Sequence, residues 1–135
     1  MVAYNFQPEF GAAILAGVKT STIRPNGRRR HARVGEVVQL YSGMRTPYCT
    51  LLARAICIGA YPVEVLQEGV RIDGAVICDS AALDALAISE GFSKFGNMQA
   101  WFDIRYSLPV FNMTQILWRP DAADEGANGA LVGAS

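Results

Sequence analysis

The segment ILAGVKTSTIR, residues 14–24, marks the change from helical to extended spacing in this chain. In the helical part, Phe10, Ile14 and Gly17 recur at helical intervals. Pro8 suits a first turn, and Gly17 suits a helix end. Downstream, the β-branched residues of 18–24 favour a strand, because such side chains pack well on a pleated surface. We therefore predict a helix over 8–17 and a strand immediately after it.

Strands dominate the rest of the sequence. We predict strands over 37–43, 49–60, 63–72, 74–78 and 109–118, and helices over 80–90 and 97–106. Asp73-Gly74 is a two-residue hairpin signal, and Gly91 suits the end of the first of these helices. Runs of strands with segregated helices indicate an α+β fold. Short strands in a small domain favour a compact, partly closed β-barrel flanked by helices.

The chain has 135 residues and suits one domain, which we place at 1–120. The remainder, 121–135, is rich in Ala, Gly and Asp and predicts a flexible C-terminal tail. No apolar run approaches the ~20 residues that span a membrane, and the N-terminus lacks the basic leader of a secretory signal. We therefore expect a cytoplasmic protein that does not enter a membrane.

The cysteines and the histidine do not form a metal-binding pattern. Cys49, Cys57 and Cys78 show no C-x-x-C spacing, and His31 is the only histidine. A structural zinc site needs about four such ligands. We therefore expect no metal and no cofactor, and we interpret the cysteines as ordinary thiols of a reducing compartment.

Charge is distributed unevenly along a chain whose formal net charge is zero. Eight of the twelve Lys and Arg residues lie between Lys19 and Arg54, where Glu36 is the only acid. Such asymmetry gives a neutral protein one positive face, and phosphate-bearing ligands are natural partners of such a face. A solvated loop that keeps the chain soluble is the alternative.

The densest group of candidate site residues is Lys19-Thr20-Ser21-Thr22-Ile23-Arg24. Hydroxyls beside fixed cations can hold an oxyanion or a phosphate, and a threonine hydroxyl near an amine can act as a nucleophile. Alternation puts Thr20, Thr22 and Arg24 on one face of the strand, although Lys19 can still turn towards Thr22 near the strand start. An exposed strand with threonine in its preferred place is the alternative.

Glu90 ends the apolar stripe of the helix predicted over 80–90. A carboxylate at the edge of a core has a raised pKa unless a cation pairs with it, and this is how an enzyme obtains a general acid or base near neutral pH. A carboxylate that points to water from the helix end is the alternative, although there it would oppose the helix dipole.

Two further sets of residues are candidates for contacts with a nucleotide. The loop arginines Arg28, Arg29, Arg30 and Arg33 are predicted to contact the RNA backbone, because guanidinium groups bind phosphate in a bidentate manner. A mobile surface loop is the alternative. Tyr41 and the nearby Arg45 are predicted to bind the ligand, with the tyrosine stacking on a base. Most other aromatic residues are expected in the core.

These motifs, in this order, resemble the ASCH family over about 10–118. Residues 14–24 resemble its N-terminal signature, Val34-Gly35-Glu36-Val37 its next strand start, and Ser42-Gly43-Met44-Arg45 its turn. Glu90-Gly91-Phe92 with Met98-Gln99-Ala100-Trp101-Phe102 resembles its helix pair, and Ile116-Leu117-Trp118 its closing strand.

The resemblance implies a PUA-like β-barrel with flanking helices and a role in RNA or nucleotide biochemistry. Characterised members include amidohydrolases that remove the acetyl group from N4-acetylcytidine, and others are reported to bind or cut single-stranded RNA. Their lysine, nucleophilic threonine and glutamate fall on Lys19, Thr22 and Glu90, and Arg24 matches the basic residue that closes the motif. Many members have Asp at the position of Glu90, and the Arg-rich loop is not a general feature. Phage genomes often carry such chains, so a phage source is compatible with the resemblance.

Three functions are open at this point. The first is an amidohydrolase on N4-acylated cytidine, with Lys19, Thr22 and Glu90 catalytic. Its substrate-binding residues are predicted to be Thr20, Ser21, Arg24, Tyr41 and Arg45. The second is an RNA-binding module without turnover, and the third is a ribonuclease for single-stranded RNA. The first needs its catalytic side chains to converge in the fold, whereas the second needs only the basic face and an aromatic platform.

Overall fold

A computed structural model describes residues 2–121, which form seven strands and three helices. The strands are β1 (Val2–Phe6), β2 (Ser21–Pro25), β3 (Val37–Ser42), β4 (Thr50–Val65), β5 (Val70–Ile72), β6 (Ala75–Ile77) and β7 (Val110–Pro120). The helices are α1 (Pro8–Leu15), α2 (Ser80–Ser89) and α3 (Phe95–Tyr106). The tail expected over 121–135 lies, apart from Asp121, outside the described residues.

The long strand β4 organises a mixed, seven-stranded sheet. Strand β7 pairs with one edge of β4, while β3 and β5 share the other edge. Strand β2 continues the sheet beyond β7, β6 continues it beyond β5, and β1 lies parallel to β3. The sheet curls into a half-barrel with the three helices packed beside it, which confirms the predicted α+β class.

Two apolar clusters fill the fold, and the candidate site lies where they meet. One cluster joins α1 to β1, β3 and β4 and includes Phe6 and Phe10. The other joins α2 and α3 to the far half of the sheet and includes Met98. Phe92 and Trp101 pack against both clusters, so the aromatic residues at this junction hold the helices against the strands.

The first strand, β1, was missing from the sequence-based prediction. Tyr4 and Phe6 are buried and alternate with exposed Ala3 and Asn5, which is the spacing of a half-buried strand. That alternation was visible in the sequence, but the partner of β1 is β3, which follows much later in the chain. The parallel pairing depends on this long-range contact and not on a local turn.

Strand β4 continues through Pro62, whereas the sequence predicted a break between a strand over 49–60 and another from 63. Pro62 lacks an N–H, yet it still pairs with Thr114 of β7, and its carbonyl accepts a hydrogen bond from Asp73 N at 2.9 Å. Register irregularities in this part of the β4–β7 pair accommodate the proline. The hairpin predicted around Asp73-Gly74 is confirmed, but the strand predicted over 63–72 is not continuous: residues 63–65 belong to β4, residues 66–69 form no strand, and only Val70–Ile72 form β5.

The helix ends follow the capping residues that the sequence suggested. Helix α2 begins after Asp79, whose side chain accepts a hydrogen bond from Ala82 N at 2.9 Å. Gly17 and Gly91 follow α1 and α2 with φ of 75° and 97°, a conformation that glycine adopts without steric cost. Within residues 2–121, no helix is long and apolar enough to cross a membrane.

Candidate active site

Lys19, Thr22, Arg24 and Glu90 line one cavity of about 360 Å³. They reach it from the residues before β2, from β2 itself and from the end of α2, so the fold brings together side chains far apart in sequence. Aromatic residues form much of the remaining wall: Phe6, Phe10, Phe92, Trp101, Phe102 and Tyr106. We call this space the base cavity, because aromatic side chains that could stack on a planar ring line it and its volume is that of a small-ligand site.

Lys19 is almost fully buried at the entrance of β2, with 4% of its surface exposed. Its ammonium Nζ donates to the carbonyl oxygen of Ser21 at 2.8 Å and to that of Glu90. It also lies over the rings of Phe6 and Phe10, 5.4 and 5.0 Å from their centroids. Burial lowers the pKa of Lys19 to about 8, against the opposing attraction of Glu90.

This geometry leaves a neutral Lys19 one lone pair for proton transfer. A neutral amine keeps two N–H bonds, which the two carbonyl acceptors occupy. With a pKa of about 8, roughly a tenth of the Lys19 side chains are neutral at pH 7. The neutral amine of Lys19 can therefore accept a proton, although within residues 2–121 no hydrogen bond joins Lys19 Nζ to Thr22 Oγ1.

Glu90 is 2% exposed and caps the C-terminus of α2. Its Oε2 accepts hydrogen bonds from Ser21 Oγ and from Gln115 Nε2, the latter at 3.0 Å. Its Oε1 accepts none from residues 2–121 and belongs to a side chain that lines the cavity. Burial raises the pKa of Glu90, which the nearby Lys19 charge partly offsets. Burial thus favours the protonated form of this carboxyl group, and its Oε1 keeps an unused hydrogen-bonding position within the described residues.

Arg24 fixes the orientation of the Thr22 hydroxyl. Its Nε donates to Thr22 Oγ1 at 3.0 Å, and its Nη2 donates to the carbonyl of Asn5 at 2.5 Å. Its guanidinium carbon lies 4.7 Å from the centroid of the Phe6 ring, and burial lowers its pKa. Because Thr22 Oγ1 accepts this hydrogen bond, its own proton remains available to a base.

Ser21 and Gln115 contact Glu90. Ser21 was predicted to bind substrate, but it is 1% exposed, does not line the base cavity and donates to the Glu90 carboxylate. Gln115 was missed by the sequence reasoning, although a glutamine directly before the apolar run Ile116-Leu117-Trp118 of a predicted strand was a usable signal. Both side chains hold one oxygen of Glu90 and leave the other for a ligand.

Three other candidates lie elsewhere. The backbone of Thr20 makes two hydrogen bonds: its carbonyl accepts from Trp118 N, and its N–H donates to the carbonyl of Ser89. Thr20 lines a different cavity, beneath α1. Tyr41 lies on β3 between Asn5 and Leu51, and Arg45 is exposed in the turn that follows. Neither lines the base cavity. Their predicted contacts with a ligand stay predictions.

Arg105 is a further cation that the sequence reasoning missed. It lines the base cavity from α3, and its guanidinium carbon lies 3.8 Å from the centroid of the Trp101 ring. Its Nη2 donates to Gln7 Oε1 at 3.2 Å. A stacked cation of this kind holds the indole plane in place.

The arginine loop forms a second cavity beside the first. This arginine groove, of about 640 Å³, is lined by Arg24, Arg28, Arg29, Arg30 and His31 together with residues of β1. Arg33 of the same loop is exposed and does not line it. Across the part of the chain that the structure describes, no group of three or more His, Cys, Asp or Glu side chains could hold a metal ion.

No protein-family model matches this chain, and no curated protein sequence does so either. The fold does match solved structures. The crystal structure of ASCH from Zymomonas mobilis superposes with a TM-score of 0.53 at 19% identity, over 87% of this chain and 65% of that one. A serine-to-alanine mutant of the same Zymomonas mobilis protein matches with a TM-score of 0.53 at 18% identity, over 87% and 66%.

The chain thus spans about 65% of the length of the solved protein that it matches. The match confirms the expected ASCH-like fold, a small α+β half-barrel. It concerns the fold alone.

Proposed function

We propose that the base cavity binds an N4-acylated cytidine and hydrolyses its exocyclic amide. The observation that carries this proposal is the convergence of Lys19, Thr22 and Glu90 on one cavity of nucleoside size. These are the three positions that the resemblance to ASCH amidohydrolases assigns to catalysis. The cytoplasmic location expected from the sequence stays a prediction.

In the first step, Thr22 Oγ attacks the carbonyl carbon of the amide. Lys19 Nζ, in its neutral form, takes the hydroxyl proton. Its two N–H bonds point to the two carbonyl acceptors, so its lone pair is left to accept that proton. Arg24 stays hydrogen bonded to Thr22 Oγ1 before the attack and holds the nucleophile in place.

In the second step, the C–N bond breaks and the cytosine amino group leaves with a proton. Glu90 donates that proton from Oε1, or Glu90 holds the amino group while the protonated Lys19 donates it. Both routes give an acetyl ester on Thr22 and free cytidine. Water then hydrolyses the ester, which releases acetate and restores the threonine hydroxyl.

The test is chromatography of N4-acetylcytidine incubated with the purified protein. We expect the wild type to release cytidine. We expect Lys19→Ala and Glu90→Gln each to lower turnover by at least ~10²-fold, since a positioned acid or base contributes about that much. Lys94→Ala and Glu68→Gln are matched controls, because both side chains are exposed and outside the cavity. Equal losses in the controls would contradict the assignment.

An RNA-binding module without turnover is the second candidate, and the arginine groove favours it. It would bind single-stranded RNA with an affinity that falls as salt rises, by a log–log slope of about 0.7 per phosphate contacted, and would release no cytidine. The ribonuclease alternative gains no support from His31, because both of its ring nitrogens already lie within hydrogen-bond distance of Tyr4 and Pro25.

A further inference from the structure

The arginine groove is continuous with the base cavity at β2. Arg24 and Pro25 line both spaces, so a ligand that fills the base cavity can extend past Arg24 into the groove. Arg24 uses Nε and Nη2 in hydrogen bonds to Thr22 and Asn5, while its Nη1 donates to no residue within 2–121. One unused donor therefore lies at the boundary between the two spaces.

The loop that carries the arginines is held at both ends. Asn26 N donates to the carbonyl of Asn112 at 3.0 Å, and Ala32 N donates to Tyr4 Oη at 3.1 Å. His31 Nε2 donates to the carbonyl of Pro25 at 3.0 Å, which leaves its Nδ1 to accept from Tyr4 Oη at 3.1 Å. The fold thus places the arginines between the two anchors before any ligand binds.

Of the arginines that line the groove, Arg30 has a carboxylate partner, whereas Arg28 and Arg29 have none within the described residues. Arg30 forms a bidentate ion pair with Glu36, at 2.6 and 2.7 Å. Arg28 and Arg29 are exposed and make no hydrogen bond or ion pair with residues 2–121, and no carboxylate lines the groove. Two uncompensated guanidinium groups on an anchored loop are suited to a dianion or a phosphodiester.

We propose that the arginine groove binds a phosphate ester on the sugar of the nucleoside whose base lies in the base cavity. Arg28 and Arg29 contact the phosphate, and the Nη1 donor of Arg24 lies between phosphate and base. The preferred ligand is then a nucleotide, free or within single-stranded RNA, and not the free nucleoside. The identity of the base rests on the proposed function, whereas the phosphate contact does not require turnover.

The experiment compares equilibrium binding of cytidine, cytidine 5′-monophosphate, cytidine 3′-monophosphate and the dinucleotide CpC by calorimetry. The proteins are the wild type, the double variant Arg28→Ala/Arg29→Ala and Arg33→Ala. Arg33 is the matched control, because it is an exposed arginine of the same loop outside the groove. Turnover of N4-acetylcytidine is measured on the same three preparations.

We expect at least one phosphate ester to bind about tenfold more tightly than cytidine to the wild type and to Arg33→Ala. In the double variant, the phosphate ester and cytidine should bind with about the same affinity. The ester that shows the preference identifies the phosphate source as a 5′-phosphate, a 3′-phosphate or an internucleotide linkage.

Two outcomes would overturn the phosphate proposal: no ester binds more tightly than cytidine, or the preference falls equally in Arg33→Ala. The proposed hydrolysis is judged separately. A preserved phosphate preference without release of cytidine would reject the hydrolysis and keep the phosphate site. Release of cytidine without any phosphate preference would reject the phosphate site and keep the hydrolysis.

Discussion

Lys19 and Glu90 are both buried, and burial favours the neutral form of each. The pKa of Lys19 is lowered to about 8, and the pKa of Glu90 is raised. Hydrogen bonds from Ser21 and Gln115 stabilise the ionised carboxylate and oppose its shift. Each group is thus held nearer to neutrality than in water, where one would be a fixed cation and the other a fixed anion.

The lowered pKa of Lys19 predicts the pH dependence of catalysis. Because the neutral amine is the base, kcat/KM for N4-acetylcytidine should rise as the pH approaches about 8. Lys19→Arg keeps a cation that does not deprotonate in this range, so its low activity should not show this rise. A wild-type profile that is flat between about pH 6.5 and 9 would contradict the assignment of Lys19 as base.

The raised pKa of Glu90 predicts a cost in stability that grows with pH. Between the ordinary pKa of 4.5 and the higher folded value, the folded chain binds more protons than the unfolded one. The free energy of unfolding contributed by Glu90 therefore falls as pH rises through this window. Glu90→Gln keeps an oxygen acceptor for Ser21 and Gln115 and removes the charge.

We therefore expect Glu90→Gln to unfold in urea with a free energy about 1 kcal/mol higher than the wild type at pH 8, and with a smaller difference at pH 5. Glu68→Gln, an exposed carboxylate substitution, should show neither effect. A Glu90→Gln protein that is less stable than the wild type at pH 8 would contradict the claim that burial destabilises the ionised Glu90 carboxylate.

The turn between α2 and α3 and the entrance of β2 place these groups against each other. Thr20 N donates to the carbonyl of Ser89 at 2.9 Å, which ties the residues before β2 to the last turn of α2. Lys19 N donates to the carbonyl of Ala13 in α1 at 3.0 Å. Gly91 then turns the chain away with φ of 97°. Backbone contacts, and not the side chains alone, bring Lys19 to Glu90.

Gly91→Ala tests this arrangement, because a Cβ there would lie 2.8 Å from Lys19 Cδ and 2.9 Å from Phe10 Cδ1. Gly35→Ala is the matched control, since Gly35 has a similar φ of 91° but no atom near its added Cβ. In both variants the new alanine must adopt a positive φ, which costs similar conformational energy in each. We expect Gly91→Ala to unfold about 1–3 kcal/mol more easily than Gly35→Ala and, unlike it, to lose most activity. Equal stability and activity of the two variants would show that Gly91 does not position Lys19.

The elements that the sequence predicts well are those set by local patterns. The three helices and the strand after Gly17 follow from spacing and capping within a few residues. Strand β1 and the unbroken β4 were not predicted in this way. The pairing of β1 with β3 and the accommodation of Pro62 against β7 depend on residues distant in sequence.

Across the molecule, two apolar clusters meet at Phe92 and Trp101, and the base cavity opens at that junction. The convergence of Lys19, Thr22 and Glu90 was implied by the family resemblance, and the fold places all three on one cavity. Spacing alone could not reveal that Ser21 faces Glu90 or that Gln115 joins it, because both contacts cross between elements. The placement of Arg28, Arg29 and Arg30 along the groove, and of Arg33 outside it, likewise depends on the tertiary fold.

The most direct test of this account is the release of cytidine from N4-acetylcytidine by Thr22→Ser and Thr22→Ala. We expect Thr22→Ser, which keeps a hydroxyl nucleophile, to retain measurable turnover, and Thr22→Ala to lose at least ~10²-fold. Circular dichroism should show both variants folded like the wild type. No cytidine from the wild type, or full activity in Thr22→Ala, would contradict the account and leave an RNA-binding module as the better description.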